Sequence, residues 1–374
     1  MGQSTETRHA SQGCAKSYGG LSGFTFKVIR ESTGLTQVQL AHEHQVDVAT
    51  VQGWESGRRP LAALRVRDLA RLRARLLCHG ATSAAMRVLD DAIAADLVVS
   101  DAIQAGEELI DPQVHLLGST AHQRRLTTLI TWPFTGDMPA ELASIANPAR
   151  SRRGPVPSRP LLEAGGQSRF FDHLIVTADS TPTKASLLRR QAIYLLGFDP
   201  RPSTVAWLRE EQLSAMRMAA HGDDVASWVA VRSSAVALAA AGDPEPLEGF
   251  VRGALTTERQ EQANLNYWAY WVGEIDTVHV DDQFMTRVNP RDWTGARLMA
   301  HLLDRLDPAS PHVQLNIHTL WALLMTHPNL LAHQVTLRAR MIALAANLID
   351  HKHLSPATRR ELSDVTYAAR AAQR

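Results

Sequence analysis

The stretch Phe26-Lys-Val-Ile-Arg30-Glu-Ser-Thr-Gly34-Leu-Thr36-Gln37-Val-Gln39-Leu40-Ala41, followed after four residues by Val46-Asp47-Val48-Ala49-Thr50-Val51-Gln52-Gly53-Trp54-Glu55-Ser56-Gly57-Arg58-Arg59-Pro60, decides how this chain folds. Gly34 ends one helical pattern. Thr36 then stands where a helix N-cap is needed, and Gln39, three residues on, completes a capping box in which each partner satisfies an orphan N–H of the other. Asp47 is the expected N-cap of a second short helix, which Gly57 and Pro60 stop. Leu40, Val46, Val51 and Trp54 supply the apolar contacts that lock the two helices across a tight turn.

Two short helices so joined form a unit whose second helix can enter the major groove of DNA. The stretch resembles the helix-turn-helix of lambda-repressor/Cro-like (XRE-type) regulators over about residues 24–78. The resemblance implies that Gln37 opens the first motif helix, touches the DNA backbone and supports a recognition helix from Asp47 to Ser56. It places Val48, Ala49, Gln52 and Gly53 toward base edges and Thr50 nearer a phosphate. It also implies a buried structural pair between Arg30 and Glu55. Arg58 and Arg59, just past the recognition helix, suit phosphate contact. Two positions depart from the family: Gln45 stands where its turn has glycine, and His44 where an apolar residue is usual. A non-glycine residue in a left-handed turn costs about 1 kcal/mol. Val48, Ala49 and Gly53 offer no side-chain hydrogen bonds, so direct readout rests on Gln52 and on contacts with thymine methyls.

The charge distribution points the same way. The formal net charge of the chain is +1, but residues 1–80 carry eleven Lys+Arg against six Asp+Glu, a surplus of +5, and residues 81–374 are at −4. A basic head on a mildly acidic body is what a chain needs if only its head meets a polyanion.

Outward from the head, the organisation reads as a flexible tail over residues 1–20, the helix-turn-helix domain over 21–80, a helical connector with a proline-rich loop over 81–160, and a helical regulatory and dimerisation domain over 161–374. Met86, Leu89, Ile93 and Leu97 form an apolar stripe at helical spacing. Prolines at 133, 139, 148, 155, 157 and 160 mark the least regular stretch. Beyond it, helices are expected from Leu187 to Leu196, from Ser203 to Met218, from Leu337 to Leu348, and onward from Ser355-Pro356, an N-cap followed by proline at the first helical position. Leu174-Ile-Val-Thr177 alone resembles a strand. The expected fold is therefore all-α, with the body an α-solenoid, which includes a tetratricopeptide-like layout, or a bundle.

In the body, Asn264, Tyr267, Trp268 and Trp271 invite two readings: walls of a ligand pocket, or large core side chains between packed helices. The paired histidines His42/His44 and His351/His353 sit two residues apart, on opposite sides of a helix, so no metal is expected. Phosphate-loop, dinucleotide-fold, nucleophile-elbow and HExxH motifs are all absent from the sequence, and the expectation is a protein that is not an enzyme and carries no cofactor. No apolar run is long enough to span a bilayer and Met1–Ser22 has no secretory core, which leads to the expectation of a cytoplasmic protein without membrane contact. Together these readings describe a sequence-specific transcriptional regulator. It would bind double-stranded DNA as a homodimer on a palindromic operator, with a body that senses a small molecule, a peptide or a partner protein. The Met86–Leu97 stripe and the final helices are its candidate dimer surfaces. The alternatives are a protein-interaction module, antitoxin-like or anti-activator, whose head serves autoregulation, and an enzyme in the body.

Overall fold

The computed structural model describes residues 17–121, 123–146, 157, 159–181, 186–220, 224–277, 279, 281–349 and 354–372, and every regular element among them is a helix, as expected of an all-α chain. Two compact units result: Met1–Gly106 with Thr128–Phe170, and Glu107–Thr127 with Phe171–Arg374.

The first unit is built from α1 (Gly20–Ser32), α2 (Gln37–His44), α3 (Val48–Glu55), α4 (Val66–Cys78) and α5 (Ser83–Ala105), with parts of α6 (Arg124–Thr135) and α8 (Ala164–Ser180) and the single turn α7 (Ala140–Ala143). α1 is nearly surrounded, and its N-terminus is capped by a side chain from α5: the carboxylate of Asp96 accepts from Leu21 N (3.0 Å) and Ser22 N (2.9 Å). Burial pushes Asp96 up to about 7, although the donors from Ser22 and Leu21 pull it down. Two glycines permit the close packing around α1. A methyl on Gly23 would collide with the carbonyl oxygen of Trp54, and Gly57, at φ 73°, lies against the backbone of Gly19 and Gly20.

Several expectations change here. The expected flexible tail does not extend to residue 20, because Tyr18 N donates to Ser100 Oγ (2.8 Å) and α1 starts at Gly20; residues 1–16 lie outside the described residues. The helix expected as connector is α5, and it packs on α1. Met86 and Leu89 are buried there and give no free dimer surface, whereas Leu97 is exposed. Pro133 lies inside α6, and Pro139 precedes α7, so this part of the proline-rich stretch is helical; residues 147–156 and 158 lie outside the described residues. Leu174–Thr177 is part of α8, not a strand. Phe171, Leu174, Thr177 and Ala178 are buried at helical spacing, and that periodicity overrides the β-branched run.

The second unit continues with α9 (Ser186–Leu196), α10 (Pro202–Ala219), α11 (Val225–Ala240), α12 (Glu245–Gly253), α13 (Glu258–Trp271), α14 (Phe284–Arg287), α15 (Ala296–Asp304), α16 (Val313–Thr326), α17 (Leu330–His333), α18 (Val335–Leu348) and α19 (Pro356–Ala371). α11 packs against α9, α10 and α12; α16 packs against α12, α13, α15 and α19. Both are apolar nearly all round, as helices enclosed by neighbours must be. Ser355 accepts from Thr358 N (3.2 Å) to open α19, with Pro356 as the first helical residue.

α13, α16 and α19 are tied together by one histidine. His318 Nε2 lies 2.7 Å from Glu261 Oε1, and its Nδ1 lies 2.8 Å from Glu361 Oε1. Burial by itself would lower this histidine, but the two carboxylates outweigh it and hold it at about 9. Because folding raises the group above its ordinary 6.5, its stabilisation is complete below that pH and is lost as pH rises through 9. Thermal denaturation across pH 6 to 10 should therefore reveal a loss of about 3 kcal/mol that is missing in His318→Gln. An unchanged slope in the variant would contradict the charged bridge.

Candidate functional site

Residues 36–60 form two short helices at the edge of the first unit. Thr36 Oγ1 accepts from Gln39 N (3.2 Å) and Gln39 Oε1 accepts from Thr36 N (2.9 Å), the full capping box. α2 ends on Gln45, which adopts the left-handed conformation (φ 56°, ψ 45°) that glycine would take more readily. It is the one non-glycine residue with positive φ among the described residues. The preceding His44 fills an apolar role by setting its ring edge-on to Trp54 at 5.7 Å, and burial lowers its pKa. Asp47 occupies the N-cap position of α3 but makes no side-chain capping bond, contrary to expectation.

Beneath α3 lies a buried ion pair. Arg30 Nε donates to Glu55 Oε1 at 2.5 Å, with each side chain only 5% exposed, and Arg30 Nη1 donates to the carbonyl of Leu35. The second oxygen of Glu55 accepts from Gln37 Nε2 at 2.6 Å, and Gln37 Oε1 in turn faces Gln52 Nε2 at 3.4 Å. A hydrogen-bonded series thus runs from the core through Gln37 to Gln52, which is exposed on the outer side of α3. Fixing one amide of Gln37 on Glu55 determines which way its oxygen faces.

The remaining positions divide by exposure. Ala49 is exposed, and Val48 and Thr50 are half-buried. Gly53 is buried, because the stem of Arg59 lies across it: a methyl built there would meet Arg59 Cδ at 3.0 Å. Arg59 Nη1 then donates to Thr50 Oγ1 (2.9 Å), while the exposed Arg58 reaches only Ser56 Oγ (3.1 Å). The expected base-facing role of Gly53 is thereby replaced by a covering arginine. Spacing alone does not reveal that cover, since Arg59 returns through a turn after the helix has ended. The side chains of Arg65, at the N-cap of α4, and Arg71, on it, are 92% and 67% exposed, adding cations that count in the charge of the head but were not singled out. No metal-binding group of three or more His, Cys, Asp or Glu exists among the described residues; His351 and His353 lie outside them.

In the second unit, the aromatic segment falls on α13 and its residues separate. Asn264 Nδ2 donates to Thr319 Oγ1 (3.0 Å) within the core. Trp268 packs against His301 at 5.5 Å. Tyr267 and Trp271, one turn apart, line a cavity of about 20 Å³ between α9, α11 and α13. A much larger cavity, about 810 Å³, opens between α10, α11 and α12; Trp228, Phe250, Leu213 and Met216 contribute its apolar wall and the Arg209–Asp243 pair (3.0 Å) its rim. Leu213 and Met216 are 59% and 52% exposed, an apolar surface on α10. No helix among the described residues is long and apolar enough to cross a membrane.

Compared with family models, with characterised proteins and with solved structures, the chain finds no match in any of the three.

Two substitutions test the local physics. Gln45→Gly should raise stability by up to about 1 kcal/mol in urea denaturation, by relieving the left-handed turn. Glu55→Ala should lower it by about 3–5 kcal/mol, because it strands the buried guanidinium of Arg30. If the two variants unfold at the same midpoint as the parent, neither the turn nor the ion pair carries the role given to it.

Proposed function

We propose that this chain is a sequence-specific DNA-binding transcriptional regulator, whose first unit reads the major groove through α3 as a helix-turn-helix of the XRE type. The observation that carries the reading is the series Arg30–Glu55–Gln37–Gln52, which holds one amide at the outer side of α3 beside two exposed arginines. An amide held in a set orientation can exchange two hydrogen bonds with adenine, and guanidinium groups suit phosphate oxygens. With so few polar groups on α3, one copy would bind weakly. Two copies on half-sites about 34–36 Å apart multiply the affinity, so the operator is a palindrome and the working form a homodimer.

The second unit serves as the sensor. The 810 Å³ cavity, with its aromatic wall and charged rim, has the size and character of a site for a small organic molecule or a short peptide segment. Its occupant alters DNA affinity only if it favours one dimer geometry over another.

Selection of genomic fragments with the purified full chain tests this directly. Enrichment of a few palindromic sites is the expected result. Gln52→Ala should then lose about 1–3 kcal/mol at one base position, while Arg58→Ala should weaken all sequences alike and reduce the salt slope by about one. The absence of any enriched site, or an equal loss of selectivity in both variants, would refute the reading.

A further inference from the structure

Arg232 lies in the middle of α11 and is 3% exposed. Its guanidinium carbon sits 3.8 Å from the ring centre of Tyr267 and 5.3 Å from that of Trp268. Its Nε is buried and has no hydrogen-bond acceptor among the described residues. The neighbours that act most on its charge are Tyr267, which also hydrogen-bonds to it, then Arg190 and Tyr194: two phenols and another cation. The carboxylate nearby, Asp282, is already held by Arg190 at 2.6 Å, and that pair is itself buried. Arg190, Arg232 and Asp282 together leave one positive charge inside the second unit. An isolated buried cation is strongly disfavoured unless something of opposite sign accompanies it, and the faces of two aromatic rings compensate only in part.

The cavity of about 20 Å³ described above is bordered by both guanidiniums, Arg190 and Arg232, and by Tyr194, Tyr267, Trp271 and Ser233. Its volume admits a single species the size of a water molecule. Its border combines two cations with hydroxyl groups, and among the described residues no carboxylate lines it. A water molecule would satisfy Nε and leave the charge. A monatomic anion would satisfy both. We propose that the second unit binds one small monovalent anion of halide size, chloride in ordinary solution, between Arg232 and Arg190, and that this ion is part of the folded body. The two tyrosines can turn O–H groups toward it, and the half-buried Tyr267 and Trp271 provide the way in.

This inference is independent of DNA binding and is tested without DNA. Thermal unfolding of the full chain is compared in sodium gluconate, sodium chloride and sodium bromide at equal ionic strength. Gluconate is too large for the cavity, so chloride and bromide should each raise the transition by roughly 2–4 °C over gluconate. In Arg232→Met, which removes the charge and keeps the bulk, that difference should vanish. Broadening of the chloride-35 resonance by the wild-type chain, absent with Arg232→Met, is the second expected sign. Should the variant fail to fold, crystals grown in bromide provide the deciding measurement through an anomalous peak between Arg190 and Arg232. Equal unfolding of the wild-type chain in all three salts, or bromide crystals without that peak, would overturn the proposal.

Discussion

The ion pair between Arg30 and Glu55 constrains the whole of the first unit. Two opposite charges removed from water repay their desolvation only when each is fully hydrogen-bonded. Here the carboxylate accepts from Arg30 and from Gln37, and the guanidinium also donates to the carbonyl of Leu35. Those bonds fix α1, the loop after it, α2 and α3 in one register. Gly23 lets the backbone of α3 approach α1, and Phe26 meets Trp54 edge to face at 6.3 Å on the same interface. The exposed amide of Gln52 is the outermost member of this series, so its orientation derives from charges in the core.

Buried charge organises the second unit as well, by different means. Arg190 is matched by Asp282, and His318 is matched by Glu261 and Glu361, each joining segments distant in sequence. Arg232 has, among the described residues, the faces of Tyr267 and Trp268, a hydrogen bond with Tyr267 and the small cavity beside it. Such pairs add little net stability compared with an apolar core, yet they penalise every packing that separates the partners. In a unit built of many similar amphipathic helices, that penalty selects one arrangement among several with comparable apolar contact.

Much of the first unit was legible because its signals are local. The Thr36/Gln39 capping box depends on residues three apart, and Ser355-Pro356 opens α19 for the same short-range reason. Helix periodicity marked α9, α10 and α18 from their apolar spacing. Leu174–Thr177 misled because three β-branched residues in a row outweigh periodicity in a window that short, while burial over three turns decides the structure. The Met86–Leu97 stripe misled in another way: spacing identifies an apolar face but not its partner, and that partner was α1 of the same chain.

What the sequence by itself determined, then, was whatever depends on residues within a turn or two of each other: an all-helical chain, the Thr36 and Ser355 caps, and the two short helices within residues 36–56. Tertiary structure alone decided which side chains from distant segments share a site. Asp96 caps a helix that starts 76 residues earlier, Arg59 folds back over Gly53, and Arg232 meets Arg190 and Tyr267 around one cavity. Hydrogen bonds and charge act over a few ångströms of space, and proximity in space between segments far apart in sequence is created by packing.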